Sequence, residues 1–213
     1  MNHHYPPWNK PEKVEARRIV ISICKSILGY DYIPADKEYI TICGQCTDKN
    51  GQFLIDCEPD QLIKMGFIRP NQYVGVDINK DVINANYQAR PNLKWICGDF
   101  CEVINNRLYN RKYKAEVIHF DWIEMPVEGV KKLSKLLSLI SGTDTKIVIC
   151  NFMLNSPYNG DLEESPDKII YELESNDLFQ FSVRNDGWKH FPQAYLYSTK
   201  MKTLMETIIL YKQ

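Results

Sequence analysis

Short apolar runs alternate with helical patterns along most of the chain. The first pattern is helical, because Ala16, Val20 and Ile23 recur at spacings of three and four residues after Pro11, and Gly29 can cap its end. Five apolar runs then predict strands: Glu38–Cys43, Gln72–Asp77, Leu93–Cys97, Glu116–Asp121 and Lys146–Cys150. Helical stretches separate these runs: Pro59–Met65, Lys80–Arg90, Phe100–Leu108 and a stretch with an apolar stripe that ends at Gly142.

This alternation predicts an α/β fold in which a parallel sheet is doubly wound by helices. Helix-length connections require right-handed crossovers, and one reversal gives the strand order three-two-one-four-five. After a predicted helix near Asp167–Glu174, strands and helices no longer alternate. Leu178–Arg184, Ala194–Ser198 and Met205–Tyr211 read as strands without helices between them, so they are predicted to finish one edge of the sheet in antiparallel pairing.

Composition places this fold in an ordinary soluble setting. The 213 residues contain no repeat, so we predict an N-terminal arm and helix (1–30) followed by one domain (31–213). No run approaches the roughly 20 apolar residues of a membrane span, and the N-terminus is too polar for a secretory signal. Seven cysteines without an export signal favour reduced thiols in the cytoplasm. The 26 basic and 27 acidic residues nearly cancel, so any phosphate-binding surface must be a local patch.

Candidate chemistry follows the predicted strands, since ligands of open parallel sheets bind beyond the carboxyl ends of the strands. Asp77 ends the second strand, where a carboxylate can accept both hydroxyl hydrogens of an adenosine ribose. Asp99-Phe100 follows the third strand, where the acid can bind an adenine amino group and the ring can cover the base. Asp121-Trp122 and Asn151-Phe152 end the fourth and fifth strands. Each acid can instead be a helix cap or a turn former.

The order of elements and these strand ends resemble class I S-adenosylmethionine-dependent methyltransferases, from about Tyr39 onward. The resemblance implies a mostly parallel, Rossmann-like seven-stranded sheet with an antiparallel C-terminal edge, and S-adenosylmethionine as cofactor. It implies that Asp121 orients the acceptor. The cofactor-binding residues that it implies are Cys43, Gly44, Gln45, Asp77, Ile78, Asp99, Phe100 and Trp122. Small methyltransferase-like proteins of phages and other viruses are similar, which implies a host cytoplasm or a virion as the location.

Two departures from the family pattern keep the function open. The loop after the first strand retains only Gly44 where the family has several glycines, and Asp48 in that loop would repel the carboxylate of the cofactor. Asp121-Trp122-Ile123-Glu124 lacks the two prolines of amino-group DNA methylases. The first hypothesis is a methyltransferase of unassigned substrate, with nucleic acid favoured and with cofactor binding weaker than about 10 μM. The alternative is a catalytically inactive protein of this fold that serves as a binding or structural component, for example in a virion.

The cysteines allow two other interpretations. Cys43 and Cys46 form a Cys-x-x-Cys motif, which in a thioredoxin-like fold would be a redox pair. Cys97 and Cys101 would have to join them to bind zinc, across two strands of the predicted sheet. We favour buried, reduced thiols and predict no metal site. His119, inside the fourth strand, is predicted to be a core or crevice histidine rather than a catalytic base.

Two basic and aromatic clusters are candidates for contact with nucleic acid. The first comprises Arg184, Trp188 and Lys189, in a predicted turn between late strands. The second comprises Arg107, Arg111, Lys112 and Lys114, with Tyr109 and Tyr113. The alternatives are a tryptophan packed on the sheet and a solvated charged face. Protein partners are not indicated by the sequence.

Overall fold

Seven strands build one sheet in the computed structural model, which describes residues 11–48, 50–124, 126–154, 166–198 and 204–212. The side chains of residues 122–124, 126, 153, 166–168, 192–198 and 204 lie outside that description. The strands are β1 (Glu38–Ile42), β2 (Tyr73–Asp77), β3 (Lys94–Cys97), β4 (Ala115–Glu124), β5 (Ile147–Met153), β6 (Lys189–Ser198) and β7 (Leu204–Tyr211). The helices are α1 (Pro11–Leu28), α2 (Glu58–Lys64), α3 (Lys80–Ala89), α4 (Phe100–Tyr109), α5 (Pro126–Leu139), α6 (Pro166–Ser175) and α7 (Asp177–Asp186).

The strand order is β3-β2-β1-β4-β5-β7-β6, which confirms the predicted order of the first five strands. β2 pairs in parallel with β1 and with β3, and β4 pairs in parallel with β5. β7 lies between β5 and β6 and is antiparallel to both. The fold is therefore the predicted mixed α/β sheet, mostly parallel, with an antiparallel edge.

The chain divides into two compact units, residues 1–116 and 117–213. In the first unit, buried hydrogen bonds join α2 to the sheet. The Glu58 carboxylate, which is 1% exposed, accepts from the hydroxyl groups of Tyr39 at 2.9 Å and Tyr73 at 3.2 Å. The two tyrosine rings face each other across β1 and β2 with centroids 6.2 Å apart. A buried carboxylate is stable here because it has several donors.

Gly75 lets an aromatic ring lie directly on β2. A Cβ at this position would meet Cζ3 and Cε3 of Trp95 at 2.5 and 2.6 Å, and Cβ of Cys43 at 3.1 Å. Trp95 lies opposite Gly75 in the register of β2 and β3, and its indole N–H donates to the Arg90 carbonyl at 2.9 Å. The absence of a side chain at Gly75 therefore decides how the strands pack two residues before Asp77.

In the second unit, α5, β5 and β7 supply a mainly apolar core. Leu133, Leu137 and Ile147 are completely buried, as are Ile208 and Leu210 on β7. A run of buried apolar residues on both faces of β7 is typical of a strand that has neighbours on both sides.

The prediction of a strand over Leu178–Arg184 is wrong, because this segment belongs to α7. Its alternation of apolar and polar residues imitates a strand, but the capping residues favour a helix. The Asn176 side chain accepts from the Phe179 N–H at 3.0 Å, and Gly187 ends the helix in the left-handed conformation, with φ of +71°. Arg184 is therefore on a helix and Lys189 begins β6, so the predicted turn that holds both residues is also wrong.

Among the described helices, none combines the length and the apolar character that crossing a lipid bilayer requires.

Candidate functional site

The carboxyl ends of β1, β2 and β3 are joined by backbone hydrogen bonds. The Cys43 N–H donates to the Val76 carbonyl at 2.9 Å, and the Gly98 N–H donates to the Asp77 carbonyl at 3.0 Å. The Cys97 thiol lies 3.7 Å from the Ile78 carbonyl oxygen. The residues predicted to bind the cofactor after these three strands are therefore gathered at one edge of the first unit.

Asp77 is a half-buried acid with spare hydrogen-bonding capacity. Its Oδ1 accepts from the Asn79 N–H at 2.7 Å, which fixes the orientation of the carboxylate. Within the described part of the chain, no other donor reaches this side chain. Burial raises the pKa of Asp77, and the hydrogen bond from Asn79 offsets only part of that effect. The carboxylate is thus held in place with Oδ2 free for a donor from a ligand.

The residues predicted to bind the cofactor beside Asp77 differ in exposure and in hydrogen bonding. Ile78 leaves 75% of its surface exposed directly after the acid. Asp99 caps α4, because its Oδ1 accepts from the Glu102 N–H at 3.0 Å. Phe100 is 3% exposed and packs into the core as the first residue of α4. Asp99 therefore has the helix-cap role that was the alternative in the sequence, with one carboxylate oxygen engaged in it.

Asn86 of α3 holds the loop that follows β1. Its side-chain oxygen accepts from the Cys46 N–H at 2.6 Å, and its side-chain nitrogen donates to the Gly44 carbonyl at 2.8 Å and contacts the Cys43 sulfur at 3.7 Å. Asn86 is completely buried. One side chain therefore occupies backbone groups on both sides of Gln45, whose own amide donates to the Thr47 hydroxyl at 2.6 Å.

The rest of this loop is a small hairpin rather than an open coil. Thr47 and Phe53 form an antiparallel bridge, and the Leu54 N–H donates to the Cys46 carbonyl at 2.9 Å. At its turn, the Asp48 carboxylate accepts from the N–H groups of Asn50 and Gln52, both at 2.8 Å. The negative charge of Asp48 is thus used inside the hairpin, where it reduces the repulsion expected from the sequence.

All seven cysteines are free thiols. Among the described residues, no group of three or more His, Cys, Asp or Glu side chains could hold a metal ion. Cys43 is buried beside Asp77, and burial together with the negative charge of Asp77 raises the pKa of its thiol. This environment disfavours a thiolate at Cys43, which a Cys-x-x-Cys redox centre would need.

In the second unit, Asn151 of β5 joins three polar side chains. Its side-chain nitrogen lies 2.7 Å from Oδ1 of Asp121 and 3.0 Å from Nε2 of His119. Its side-chain oxygen accepts from the Thr207 hydroxyl at 2.7 Å. Asn151, His119 and Thr207 are buried, whereas Asp121 is half-buried. This network is the most polar part of the described core of the second unit.

The donors in this network determine the state of His119. A carboxylate only accepts, so the nitrogen of the Asn151 amide has to face Asp121. The second hydrogen of the same nitrogen then faces Nε2 of His119, which accepts it. The lone pair that a general base would use is therefore occupied, which favours the predicted crevice histidine over a catalytic base. Trp122 lies in β4, but its side chain is outside the described residues.

The two clusters proposed for nucleic acid are partly used by the fold itself. Arg107 is 16% exposed and pairs with the buried carboxylate of Glu38, which also binds Lys94 at 2.7 Å. Trp188 is 2% exposed, and the Lys212 ammonium lies 5.0 Å from its ring centroid. Arg107 and Trp188 are therefore structural, which corrects their prediction as contacts for phosphates and bases. The exposed members of the two clusters include Arg184, Lys189, Arg111 and Lys112.

Asn86 and Asn151 were not predicted as site residues. For Asn86 the sequence contains a usable indication, because it continues the buried stripe of Val82 and Ile83 on α3, where an apolar residue is expected. Asn151 lies inside β5, between the buried apolar residues Cys150 and Phe152. Core positions are normally apolar, so a polar residue at such a position indicates a specific hydrogen-bonding role in both cases.

Comparison with known proteins identifies the fold through solved structures, without a match to the sequence. No protein-family model and no curated protein matches the sequence. An O-methyltransferase from Bacillus cereus in complex with SAH has a similar structure, with a TM-score of 0.55 and 9% identity over 99% of this chain and 84% of that one.

Two further solved structures agree with this likeness. A SAM-dependent methyltransferase from Agrobacterium tumefaciens has a TM-score of 0.56 and 10% identity, over 97% of this chain and 64% of that one. Magnesium protoporphyrin IX methyltransferase from Synechocystis PCC 6803, with bound SAH, has a TM-score of 0.53 and 12% identity, over 94% of this chain and 83% of that one. Across nearly its whole described length, the chain therefore has the fold of S-adenosylmethionine-dependent methyltransferases.

Proposed function

We propose that the protein is an S-adenosylmethionine-dependent methyltransferase whose adenosine site lies at the carboxyl ends of β1, β2 and β3. The observation that carries this proposal is the carboxylate of Asp77, which is oriented by the Asn79 N–H and otherwise unpaired among the described residues. Burial raises the pKa of Asp77, and an acid with a raised pKa at the end of a parallel strand is typical of a binding site. The solved structures of this fold that contain SAH support the choice of ligand.

The residues around Asp77 fit the adenosine part of this ligand. Oδ2 of Asp77 would accept the ribose hydroxyl groups, because carboxylates are strong acceptors. The exposed side chain of Ile78 would pack on the adenine ring, and burial of an apolar surface of this kind favours binding. In this proposal Asp99 keeps its role as the cap of α4 and contributes its remaining oxygen to the adenine amino group.

Asp121 is proposed to orient the acceptor, and Asn151 to orient Asp121. When bound, the cofactor supplies a methyl group on a sulfonium, which is transferred by direct displacement. The protein then needs to align the acceptor and exclude water more than it needs to form a covalent intermediate. The 2.7 Å hydrogen bond from Asn151 fixes one oxygen of Asp121, so the other oxygen can accept an N–H or O–H hydrogen of the acceptor. His119 does not take part as a base, because its Nε2 is already occupied.

A second candidate, a protein of this fold without methyltransferase activity, is favoured by one contact. Asn86 already occupies the Cys46 N–H and the Gly44 carbonyl, backbone groups of the loop that would face the methionine part of the cofactor. A ligand would have to displace these bonds or bind without them. We therefore expect weak binding of S-adenosylmethionine, with Kd above about 10 μM. In the inactive alternative the protein binds or supports other molecules, as in a virion.

Calorimetric titration separates the two candidates. The protein should bind S-adenosylmethionine and its demethylated product and should not bind NAD. Asp77→Ala should weaken this binding by about 1.5–3 kcal/mol, because the charge-assisted hydrogen bond to the ribose is lost. Asp81→Ala is the matched control, since Asp81 is an exposed acid four residues away and its side chain is not part of the site. Failure to bind either adenosine ligand at millimolar concentration would reject the enzyme.

Nucleic acid is proposed as the acceptor of the methyl group. It would bind to the cationic side chains of the two clusters that remain exposed. Arg184 and Lys189 lie in the second unit, and Arg111 and Lys112 follow α4 in the first. Binding through such residues should weaken steeply with salt. Charge-reversal of Arg184 and Lys189 should abolish binding of a single-stranded RNA probe, whereas a binding curve unchanged by salt and by these substitutions would remove nucleic acid from the proposal. A cytoplasmic location and a viral source belong to the same proposal.

A further inference from the structure

The hairpin after β1 brings two cysteines to the same residue at its base, because Leu54 contacts the Cys46 carbonyl and the Cys57 thiol. The Thr47–Phe53 bridge and the hydrogen bond from the Leu54 N–H to the Cys46 carbonyl fold the chain back, so that Cys57 returns to Cys46. The side chains of Cys46 and Cys57 interact with each other. Cys46 is 2% exposed and Cys57 is completely buried. The Cys57 thiol also lies 3.6 Å from the Leu54 carbonyl oxygen.

A buried guanidinium accompanies this pair of thiols. Arg90 donates to the Asp60 carboxylate at 2.7 and 2.5 Å and to the Leu54 carbonyl at 2.6 Å. Its remaining nitrogen, Nη1, is buried and has no hydrogen-bond partner among the described residues. The charge of Arg90 acts on both thiols. A buried N–H donor without an acceptor is unusual in a native protein.

The electrostatics separate the roles of the two thiols. The interaction with Cys46 lowers the pKa of Cys57, burial raises it, and the charge of Arg90 lowers it again, so that the net change is a decrease. The interaction with Cys57 and burial both raise the pKa of Cys46. Cys57 is therefore the more acidic of the two thiols. This is the arrangement of an attacking thiolate next to a resolving thiol.

Access to the pair depends on the hairpin that covers it. The segment that joins the two cysteines exposes Phe53 and Ile55 to solvent rather than packing them into the core. Asp56, directly before Cys57, has φ of +59°, a left-handed conformation that is disfavoured for a residue other than glycine. Segments with few buried apolar contacts and a disfavoured backbone open locally more easily than the core. A small oxidant can therefore reach Cys57 when the hairpin opens.

We propose that Cys46 and Cys57 form a redox pair that closes the base of this hairpin with a disulfide. The Cys57 thiolate attacks a hydroperoxide; its oxygen–oxygen bond breaks, a sulfenic acid forms, and the departing hydroxide (or alkoxide) takes up the proton that Cys57 lost. The Cys46 thiol then attacks the sulfenic sulfur, a sulfur–sulfur bond forms, the sulfur–oxygen bond breaks, and water leaves. Two thiols are oxidised and one peroxide is reduced.

This pair differs from the one that the sequence motif indicates. Cys43, the other member of the Cys-x-x-Cys motif, is in contact with the Asn86 amide and faces the negative charge of Asp77. Cys57 lies eleven residues after Cys46 in the chain, and only the hairpin makes them neighbours. The proposal holds whether or not the chain transfers methyl groups, because it uses no ligand.

The test is peptide mapping without reductant after the reduced full-length protein is treated with hydrogen peroxide. The expected product is a cross-link between the peptides of Cys46 and Cys57, two hydrogens lighter than their sum. Cys57→Ser and Cys46→Ser should abolish it, while Cys97→Ser, which removes an exposed cysteine, should leave it unchanged. Arg90→Gln should slow its formation about tenfold, as expected for a thiol pKa about one unit higher. Arg90→Lys, which retains the charge, should restore most of the rate.

Three results would overturn the proposal. A cross-link between Cys43 and Cys46 would return the pair to the sequence motif. Oxidation of Cys97 without any cross-link at Cys57 would show that the buried thiols are inert. Equal rates for the wild type, Arg90→Gln and Arg90→Lys would remove the guanidinium from the mechanism, and circular dichroism of each variant would verify that the fold is retained.

Discussion

Gly75→Ala tests whether the close approach of Trp95 to β2 shapes the first unit. The new methyl carbon would lie 2.5 Å from Cζ3 and 2.6 Å from Cε3 of the indole ring, and 3.1 Å from Cβ of Cys43. Carbon atoms in contact are normally about 3.5–4.0 Å apart, so the ring has to move by about 1 Å. The hydrogen bond from the Trp95 indole to the Arg90 carbonyl, now 2.9 Å, would be lengthened by this movement.

The magnitude follows from three contributions. Overpacking in a tight core costs about 1–3 kcal/mol. Weakening of the indole hydrogen bond costs about 1 kcal/mol. Against these, replacing Gly75 restricts the unfolded chain and contributes about 0.4–1 kcal/mol of stability. We therefore expect Gly75→Ala to lower the free energy of unfolding by about 2 kcal/mol.

The assay is equilibrium unfolding in urea, in which the midpoint should fall while the slope stays constant. A double-mutant cycle with Trp95→Val isolates the cause, because the smaller side chain removes the clash. In that background the same glycine substitution should be neutral or stabilising. A loss of equal size with and without Trp95, or no loss in the single variant, would refute the reasoning.

Three further predictions concern charge and metal. Burial raises the pKa of Asp77 in the folded protein. Ionisation of Asp77 therefore opposes folding at pH values above this raised pKa. The destabilisation vanishes as pH falls below about 3.9, which is the pKa of an aspartate in the unfolded chain. Asp77→Asn should therefore melt higher than the wild type at pH 7 and at the same temperature as the wild type near pH 3; a lower melting temperature at pH 7 would contradict this. Arg107→Met should lower the free energy of unfolding by about 2 kcal/mol, because it removes a partner of the buried Glu38 carboxylate. The loss is smaller than for a buried carboxylate left with no partner, because Lys94 also pairs with Glu38. Arg111→Met, on the exposed surface, should have little effect. A zinc chelator should leave the melting temperature unchanged, and one zinc per chain by elemental analysis would show that the cysteines do bind metal.

Helix and strand periodicity predicted most of the fold, and residues with a clear local role mark several helix ends. Asn79 caps α3 and Gly29 ends α1 in the left-handed conformation, both as their residue types suggest. The failure at α7 has a definite cause. Leu178, Phe179 and Phe181 read as a strand in a short window, and the caps at Asn176 and Gly187 outweigh that pattern in the structure.

The candidate site was harder to predict because its hydrogen bonds join distant parts of the chain. Asp77 could be identified from its place at a strand end. The partners that hold the neighbouring loop could not, since Asn86 reaches Cys46 across 40 residues and Asn151 reaches Asp121 across 30. Cationic residues also looked free in the sequence, yet Arg107 finds its carboxylate at Glu38, 69 residues earlier. Composition near a motif does not reveal which charges the fold uses for itself.

The position of β7 has a consequence for how the chain is made. β7 follows β6 in sequence but lies between β5 and β6 in the sheet. The ribosome therefore synthesises β5 and β6 before the strand that joins them. Until residues 204–211 emerge, the growing chain carries two open strand edges, and such edges are prone to aggregation. The completely buried Ile208, Ile209 and Leu210 then have to enter the gap together. The second unit is therefore expected to complete its folding only after β7 has been synthesised, and to depend on chaperones during that interval.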